Sequence, residues 1–284
     1  SYNLQPTSYF LHPTSMFPIL FSIGPFTLYT FNLAVFLAFV SGGFVFWKRA
    51  HEEHYEDDEI FDVGLLSILS GLVASRIGYV IFHINDFGLQ PLQWLSFFGR
   101  PGLHEAMGVV VGLWTLGFLA KRRKWDHFEL MDYAVVGISM FVILLWVGRF
   151  LAGSQIGTPT GLPIGLRFPN TFDLRHPLQL YMAVLGVVTF VSLRALERRY
   201  RFFQWYRANK QSAQSGFVVA VFLMLYGLWG SVTTPLRMTD ARIAGISIDL
   251  IVFVGMILVG GALLYIRSGH MHLPKKPVSS KSSI

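Results

Sequence analysis

The sequence predicts an all-α polytopic membrane protein of about seven transmembrane helices, with an outer head segment between the fourth and fifth. Three observations carry that prediction. Apolar runs long enough to cross a hydrocarbon core recur along the chain. Only 14% of the 284 residues are charged, against about 25% in an ordinary soluble domain, and 53% are hydrophobic. The basic residues gather at one end of every second run, as they do in proteins whose spans alternate in direction.

The elements follow in order. The first 25 residues hold Pro6, Pro13, Pro18 and Pro25 among aromatics, with no charged side chain, and are expected to be a retained interfacial lead-in. Residues 26–47 form the first expected span, closed by Lys48 and Arg49 and followed by an acidic loop. A second span over 60–82 contains Arg76. An aromatic, proline-containing segment over 83–103 suits the headgroup layer. The third span starts near His104 and ends at the basic run 121–124; the fourth covers 130–151. The head follows, rich in glycine, threonine and proline, and is expected to be flexible. The fifth span covers 177–196, the sixth 216–235 and the seventh 246–266. Residues 1–270 thus read as one transmembrane domain, and 271–284 as a polar tail.

Charge sets the expected topology. Lys48, Arg49, residues 121–124, the basic residues from Arg194 to Lys210, and Arg267 with the tail lysines account for sixteen of the 23 basic residues. All fall on one face, which the positive-inside rule makes cytoplasmic, so the N-terminus is expected outside. The formal charge of +7 is then a topology signal, and nucleic acid is excluded as a partner.

The seven remaining basic residues are all arginines on the outer side: Arg76, Arg100, Arg149, Arg167, Arg175, Arg237 and Arg242. A guanidinium keeps its charge when desolvated and offers a planar fork that fits phosphate oxygens. Arg149 and Arg76 lie deepest, beside Gly148 and Gly78, and are the candidates for an anionic phospholipid headgroup. Arg100, Arg167, Arg237 and Arg242 are expected to snorkel to the interface.

His104 opens the third span beside Glu105. Adjacent helical residues point about 100° apart, so the two need not form a dyad. His104 is a candidate general base toward a thiol or hydroxyl, or else a helix cap. Arg175-His176-Pro177 reads as a helix entrance, with Gln179 and Tyr181 on the following turn. The histidines lack zincin-type spacing, and the chain has no cysteine, so neither a metal nor a cofactor is expected.

These pieces together resemble the prolipoprotein diacylglyceryl transferase family. The likeness covers Phe21-Ser22-Ile23-Gly24-Pro25, Ser75-Arg76-Ile77-Gly78-Tyr79-Val80, His104, Gly148-Arg149, Arg175-His176-Pro177-Leu178-Gln179-Leu180-Tyr181 and Tyr226-Gly227. The resemblance implies a seven-span enzyme of the bacterial inner membrane that moves diacylglyceryl from phosphatidylglycerol to the lipobox cysteine of a prolipoprotein, releasing glycerol phosphate. It implies His104 and Tyr226 as catalytic residues, His104 being the base and Tyr226 a hydrogen-bond partner. Arg76, Arg149, Arg175, His176, Gln179 and Tyr181 are implied as lipid-binding.

The sequence also departs from the family pattern. Ala152 and Gly157 stand where the family motif after Arg149 has an asparagine and a glutamate. Gly230 and Thr234 stand where an arginine and a glutamate follow the sixth-span tyrosine, and Phe31 replaces a first-span tyrosine. A lone arginine can bind a phosphodiester yet stabilise the transition state poorly. The departures therefore predict phospholipid binding with weakened transfer. The alternative is a catalytically degenerate homologue serving as a lipid- or lipoprotein-binding subunit of a membrane complex. A transporter ranks last, because no internal repeat is visible.

Overall fold

The computed structural model describes residues 17–24, 26–88, 94, 102–169, 171–206, 215–238, 242–243 and 245–267. The expected lead-in up to residue 16, most of the 83–103 segment and the tail lie outside them. The architecture is a helical bundle as expected. In chain order it comprises β1 (Ile19–Ile23), β2 (Phe26–Tyr29), α1 (Thr30–Glu52), α2 (Asp57–Phe82) and a single turn α3 (Ile84–Phe87). It continues with α4 (Glu105–Arg122), α5 (His127–Ala152), α6 (Leu178–Tyr206), α7 (Phe217–Thr233), a 3-10 turn (Thr234–Leu236), β3 (Arg242–Ile243), β4 (Ile246–Ser247) and α8 (Ile248–Arg267).

Six of the described helices are long and apolar enough to cross a membrane. The seventh long helix, α4, occupies the place of the expected third span. Its 18 residues include Glu105, Lys121 and Arg122, so its apolar stretch is shorter than that of its neighbours. It packs along α2 and against α5.

Two boundaries differ from expectation for local reasons. The first helix starts at Thr30 because Phe26–Tyr29 pairs antiparallel with Ile19–Ile23, across a turn in which Gly24 has φ +58°. A left-handed φ costs glycine nothing, which is why the chain can reverse there. Helix α6 continues past the expected boundary to Tyr206, since its charged end is helical outside the apolar stretch.

Small residues bring the helices together, the packing mode that works where lipid supplies no hydrophobic drive between helices. A Cβ added at Gly42 of α1 would lie 2.8 Å from the Gly137 carbonyl oxygen of α5. One added at Gly71 of α2 would lie 2.8 Å from the Gly108 oxygen of α4. The central helix is α5, which packs on α1, α6, α4 and α7. It is capped by Asp126, which accepts from the backbone of Phe128 and Glu129, and it stops at Gly153 in the left-handed region.

The basic helix ends lie together. Arg49 at the end of α1 pairs with Glu197 of α6 at 2.9 Å, Arg123 after α4 approaches Glu59 of α2, and Arg267 at the end of α8 lies over Phe128 at the start of α5. The opposite end carries the β1–β2 hairpin, the start of α4 and the head.

The head is hydrogen-bonded rather than flexible. Gly157 donates to His176 O at 3.1 Å, Thr160 to Leu174 O at 2.8 Å, and Leu166 and Arg175 exchange two backbone bonds of 2.9 Å. Thr158 donates to Leu236 O at 3.0 Å, which fastens the head to the 3-10 turn after α7.

Candidate active site

The site forms where the head-side ends of α4, α5, α7 and α8 converge. Arg149 sits in the last turn of α5, its side chain only 11% exposed, and pairs with the Glu105 carboxylate. Glu105 is the first residue of α4, where the free N–H groups of the helix also favour a negative charge. One turn back on α5, Trp146 is fully buried and lies under the Arg149 guanidinium, 4.4 Å from ring centroid to Cζ. A cation over an indole face is held by the ring's quadrupole.

A second guanidinium shares that ring. Arg237 follows the 3-10 turn and places its Cζ 5.6 Å from the Trp146 centroid and 5.3 Å from that of Phe253 on α8. The snorkelling expected of Arg237 is overturned. The Thr158–Leu236 bond anchors the residue before it to the head, and two aromatic faces draw the side chain inward.

His104 is the N-cap of α4. Its Nδ1 accepts from the Met107 backbone at 3.3 Å, which requires the ring proton on Nε2, and Nε2 lies 3.0 Å from Asp249 Oδ1 at the start of α8. His104 and Glu105 thus reach different partners, as their angular separation implied. The His104 backbone donates to Ser75 O at 2.9 Å, and its ring meets Phe82 edge-on at 5.0 Å.

Tyr226 of α7 is buried, stacked on Phe222 and edge-on to Phe253 at 6.0 Å. Glu105, Arg149, Arg237 and Asp249 all lie within electrostatic reach of its hydroxyl. Tyr226 also lines an apolar crevice between α5, α6 and α7, with Val142, Met182, Phe222 and Trp229. Trp146 Nε1 and Arg237 Nε are buried donors here with no acceptor among the described residues. Leaving a buried donor unpaired costs about 1–3 kcal/mol, a cost an incoming anion would relieve.

The other expected lipid-binding residues are placed around this centre rather than in it. Arg76 is buried and donates to Trp94 O at 2.7 Å and Gly102 O at 3.0 Å, holding the segment that presents His104. Gln179 is buried and donates to Ser154 O at 2.6 Å. His176 Nδ1 lies 3.3 Å from the Tyr181 hydroxyl, and Arg175 Nη1 lies 3.3 Å from the Met238 sulfur. These four join the head to α6 and to the segment carrying Arg237.

A sequence profile described as Prolipoprotein diacylglyceryl transferase matches residues 18–266. The chain belongs to the prolipoprotein diacylglyceryl transferase family. Among its relatives, the phosphatidylglycerol–prolipoprotein diacylglyceryl transferase of Clostridium tetani is 26% identical over 78% of this chain and 86% of its own length. The protein of that name from Pasteurella multocida is 27% identical over 92% of this chain and 95% of its own. That from Desulfotalea psychrophila is 28% identical over 88% and 93%.

The family frame gives two of the replaced positions a steric reason. A Cβ at Gly157 would lie 2.6 Å from the His176 carbonyl oxygen, so the glutamate of the family motif does not fit there. A Cβ at Gly230 would lie 2.3 Å from the Phe253 ring, which fills the room an arginine would need.

Proposed function

We propose that this family member transfers diacylglyceryl from phosphatidylglycerol to the lipobox cysteine of a prolipoprotein, at the outer face of a bacterial inner membrane. The N-terminus is outside and the tail cytoplasmic, as the basic helix ends require under the positive-inside rule.

The observation that carries this reading is a desolvated Arg149, paired with Glu105, next in the chain to the acid–base pair of His104 and Asp249. Asp249 holds His104 in the tautomer with its proton on Nε2, so Nδ1 is the basic nitrogen, and its 3.3 Å bond from Met107 is a weak one to give up. The cysteine thiol passes its proton to Nδ1, and the carboxylate stabilises the imidazolium. Sulfur attacks the glycerol carbon bearing the phosphate. The C–S bond forms, the C–O bond breaks, and its electron pair leaves on glycerol phosphate. Arg149 and the Trp146 N–H receive the developing charge, and the Tyr226 hydroxyl lies beside them as a hydrogen-bond partner for the headgroup.

The amide lost at Ala152 and the carboxylate lost at Thr234 lower the expected rate, since one missing oxyanion donor costs about 10²–10³ in comparable sites. The test is to incubate the purified protein in phosphatidylglycerol nanodiscs with a lipobox peptide and to read the peptide mass. The expected product is the thioether-linked diacylglyceryl peptide, with its yield lost in Arg149→Ala. Bound phosphatidylglycerol without product would favour a lipid-binding subunit of a membrane complex.

A further inference from the structure

We propose that the β1–β2 hairpin is a lipid-binding wedge, seated among the headgroups of the head-side leaflet, that sets the depth of Arg149 against the plane of the lipid phosphates. The depth claim rests on the headgroup site proposed above at Arg149; the insertion claim stands without it.

Charge and exposure come first. No Lys, Arg, Asp or Glu precedes Lys48 in the sequence. Successive strand residues point to opposite faces, so a hairpin laid on a protein core in water buries one face and wets the other. Here every residue of β1 is exposed, and in β2 only Leu28 is partly covered. Ile19, Leu20, Phe21, Ile23, Phe26 and Tyr29 all stand out of the bundle, with Ile23 and Phe26 beside the turn 71% and 78% exposed. Ser22 and Thr27, paired across the strands, are the polar side chains among them, with the Tyr29 hydroxyl. Apolar side chains uncovered on both faces are the pattern of an element surrounded by lipid.

Helix length fixes where the hairpin lies. From Thr30 to Trp47 α1 carries no charge, and at ~1.5 Å per residue that stretch is about 27 Å long. A hydrocarbon core is about 30 Å thick, so with Lys48 and Arg49 at one boundary Thr30 comes to the other. Along that length α1 turns Phe36, Leu37, Val40 and Phe44 outward, and the hairpin begins where this lipid-facing side ends. Open strand edges are not tolerated in the hydrocarbon itself, and no described strand pairs with the outer edge of β1 or of β2. The headgroup layer meets both demands. Its water and ester groups bond the edges, and its apolar boundary takes the rings.

The hairpin is bonded to the helix that carries Arg149. At its base the Phe17 N–H donates to Leu151 O at 2.9 Å, two residues beyond Arg149. The Thr30 hydroxyl donates to Phe17 O, and the Thr30 N–H to Pro18 O at 3.0 Å, which closes the base onto α1. A Cβ at Gly148 would overlap Ala34, so α1 and α5 also meet closely one residue before Arg149. A wedge held at headgroup level by its rings therefore holds Arg149 at a fixed depth. The contact is apolar, so it takes a neutral bilayer as readily as an anionic one.

The chain has no cysteine, so single cysteines can be labelled without background. Ile23→Cys, Phe26→Cys, Val40→Cys and Glu56→Cys each receive a small environment-sensitive fluorophore and enter phosphatidylcholine nanodiscs with lipids brominated at defined chain depths. The labels at 23 and 26 are expected to be quenched more by bromines near the carbonyls than by bromines near the chain ends. The label at 40, on the lipid-facing side of α1, should show the reverse order, and the label at 56 should be quenched only by aqueous iodide. Labels at 23 and 26 that behave like the one at 56 would overturn the proposal. Depth is read from the double variant Ile23→Asp/Phe26→Asp, first shown to be monodisperse in detergent. Its affinity for phosphatidylglycerol is expected to fall about five-fold in phosphatidylcholine nanodiscs and to match wild type in detergent micelles, which impose no phosphate plane. Unchanged affinity in nanodiscs, or an equal loss in both settings, would overturn the depth claim. If wild type binds no phosphatidylglycerol, the headgroup reading fails, and the labels still decide insertion.

Discussion

His104 Nε2 and Asp249 Oδ1 lie 3.0 Å apart, joining the start of α4 to the first turn of α8 across the head-side end of the bundle. Both side chains are largely buried, so the contact fixes the imidazole tautomer instead of exchanging with water. Asp249→Asn removes the charge that stabilises the imidazolium and leaves the fold's apolar contacts intact. The expected outcome is a fall in kcat of about 10²-fold or more with little change in KM for phosphatidylglycerol, read from peptide lipidation kinetics. An unchanged kcat would remove Asp249 from the mechanism.

Glu105 has a different task. It neutralises Arg149 in the absence of lipid, and truncating one member of a buried pair leaves the other charge uncompensated. Glu105→Gln is expected to lower stability by about 3 kcal/mol, seen as a lower thermal midpoint in neutral detergent. Adding phosphatidylglycerol should recover part of that shift, because the phosphodiester replaces the missing anion. Phosphatidylcholine, with no net charge, should recover less.

On the opposite side of the bundle, the Tyr55 hydroxyl donates to Glu129 Oε2 at 2.9 Å. Burial, reinforced by that carboxylate, raises the Tyr55 hydroxyl well above its usual range. The folded state therefore holds the proton more tightly than the unfolded chain. The stabilisation is complete below the unfolded value of about pH 10 and declines above it as the unfolded tyrosine ionises. The thermal midpoint is expected to fall more steeply above about pH 10 in wild type than in Tyr55→Phe, and identical slopes would contradict the linkage.

The sequence made the bundle legible because membrane spans are long and monotonous. Lys48, Lys121 and Arg267 mark helix ends that the structure brings to one face, and Arg149 stood out as a cation at membrane depth. What it could not carry was direction and distance. Arg237 sits one residue past a proline-containing turn, a place where most arginines reach for water, and only Trp146 and Phe253 explain why it turns inward. The pairing of His104 with Asp249 joins residues from distant parts of the chain, which no local pattern encodes. The β1–β2 hairpin was missed because Phe26 to Tyr29 is as apolar as the helix that follows, and only the turn at Gly24 separates them. The losses at positions 157 and 230 read as missing chemistry in a linear comparison. In space Gly157 is a close approach to His176, and Gly230 makes room for the ring that bears Arg237.

Diacylglyceryl transfer at this site, as proposed, is open to a direct test. Complementation of a bacterial cell depleted of its own transferase tests it most directly, with lipoprotein modification, expected at a reduced rate, read by mass spectrometry. The expected result is growth with diacylglyceryl-modified lipoproteins from the wild-type chain, and neither from Arg149→Ala expressed to the same membrane level. A wild-type chain that reaches the membrane, binds phosphatidylglycerol and leaves every lipoprotein cysteine unmodified would contradict it.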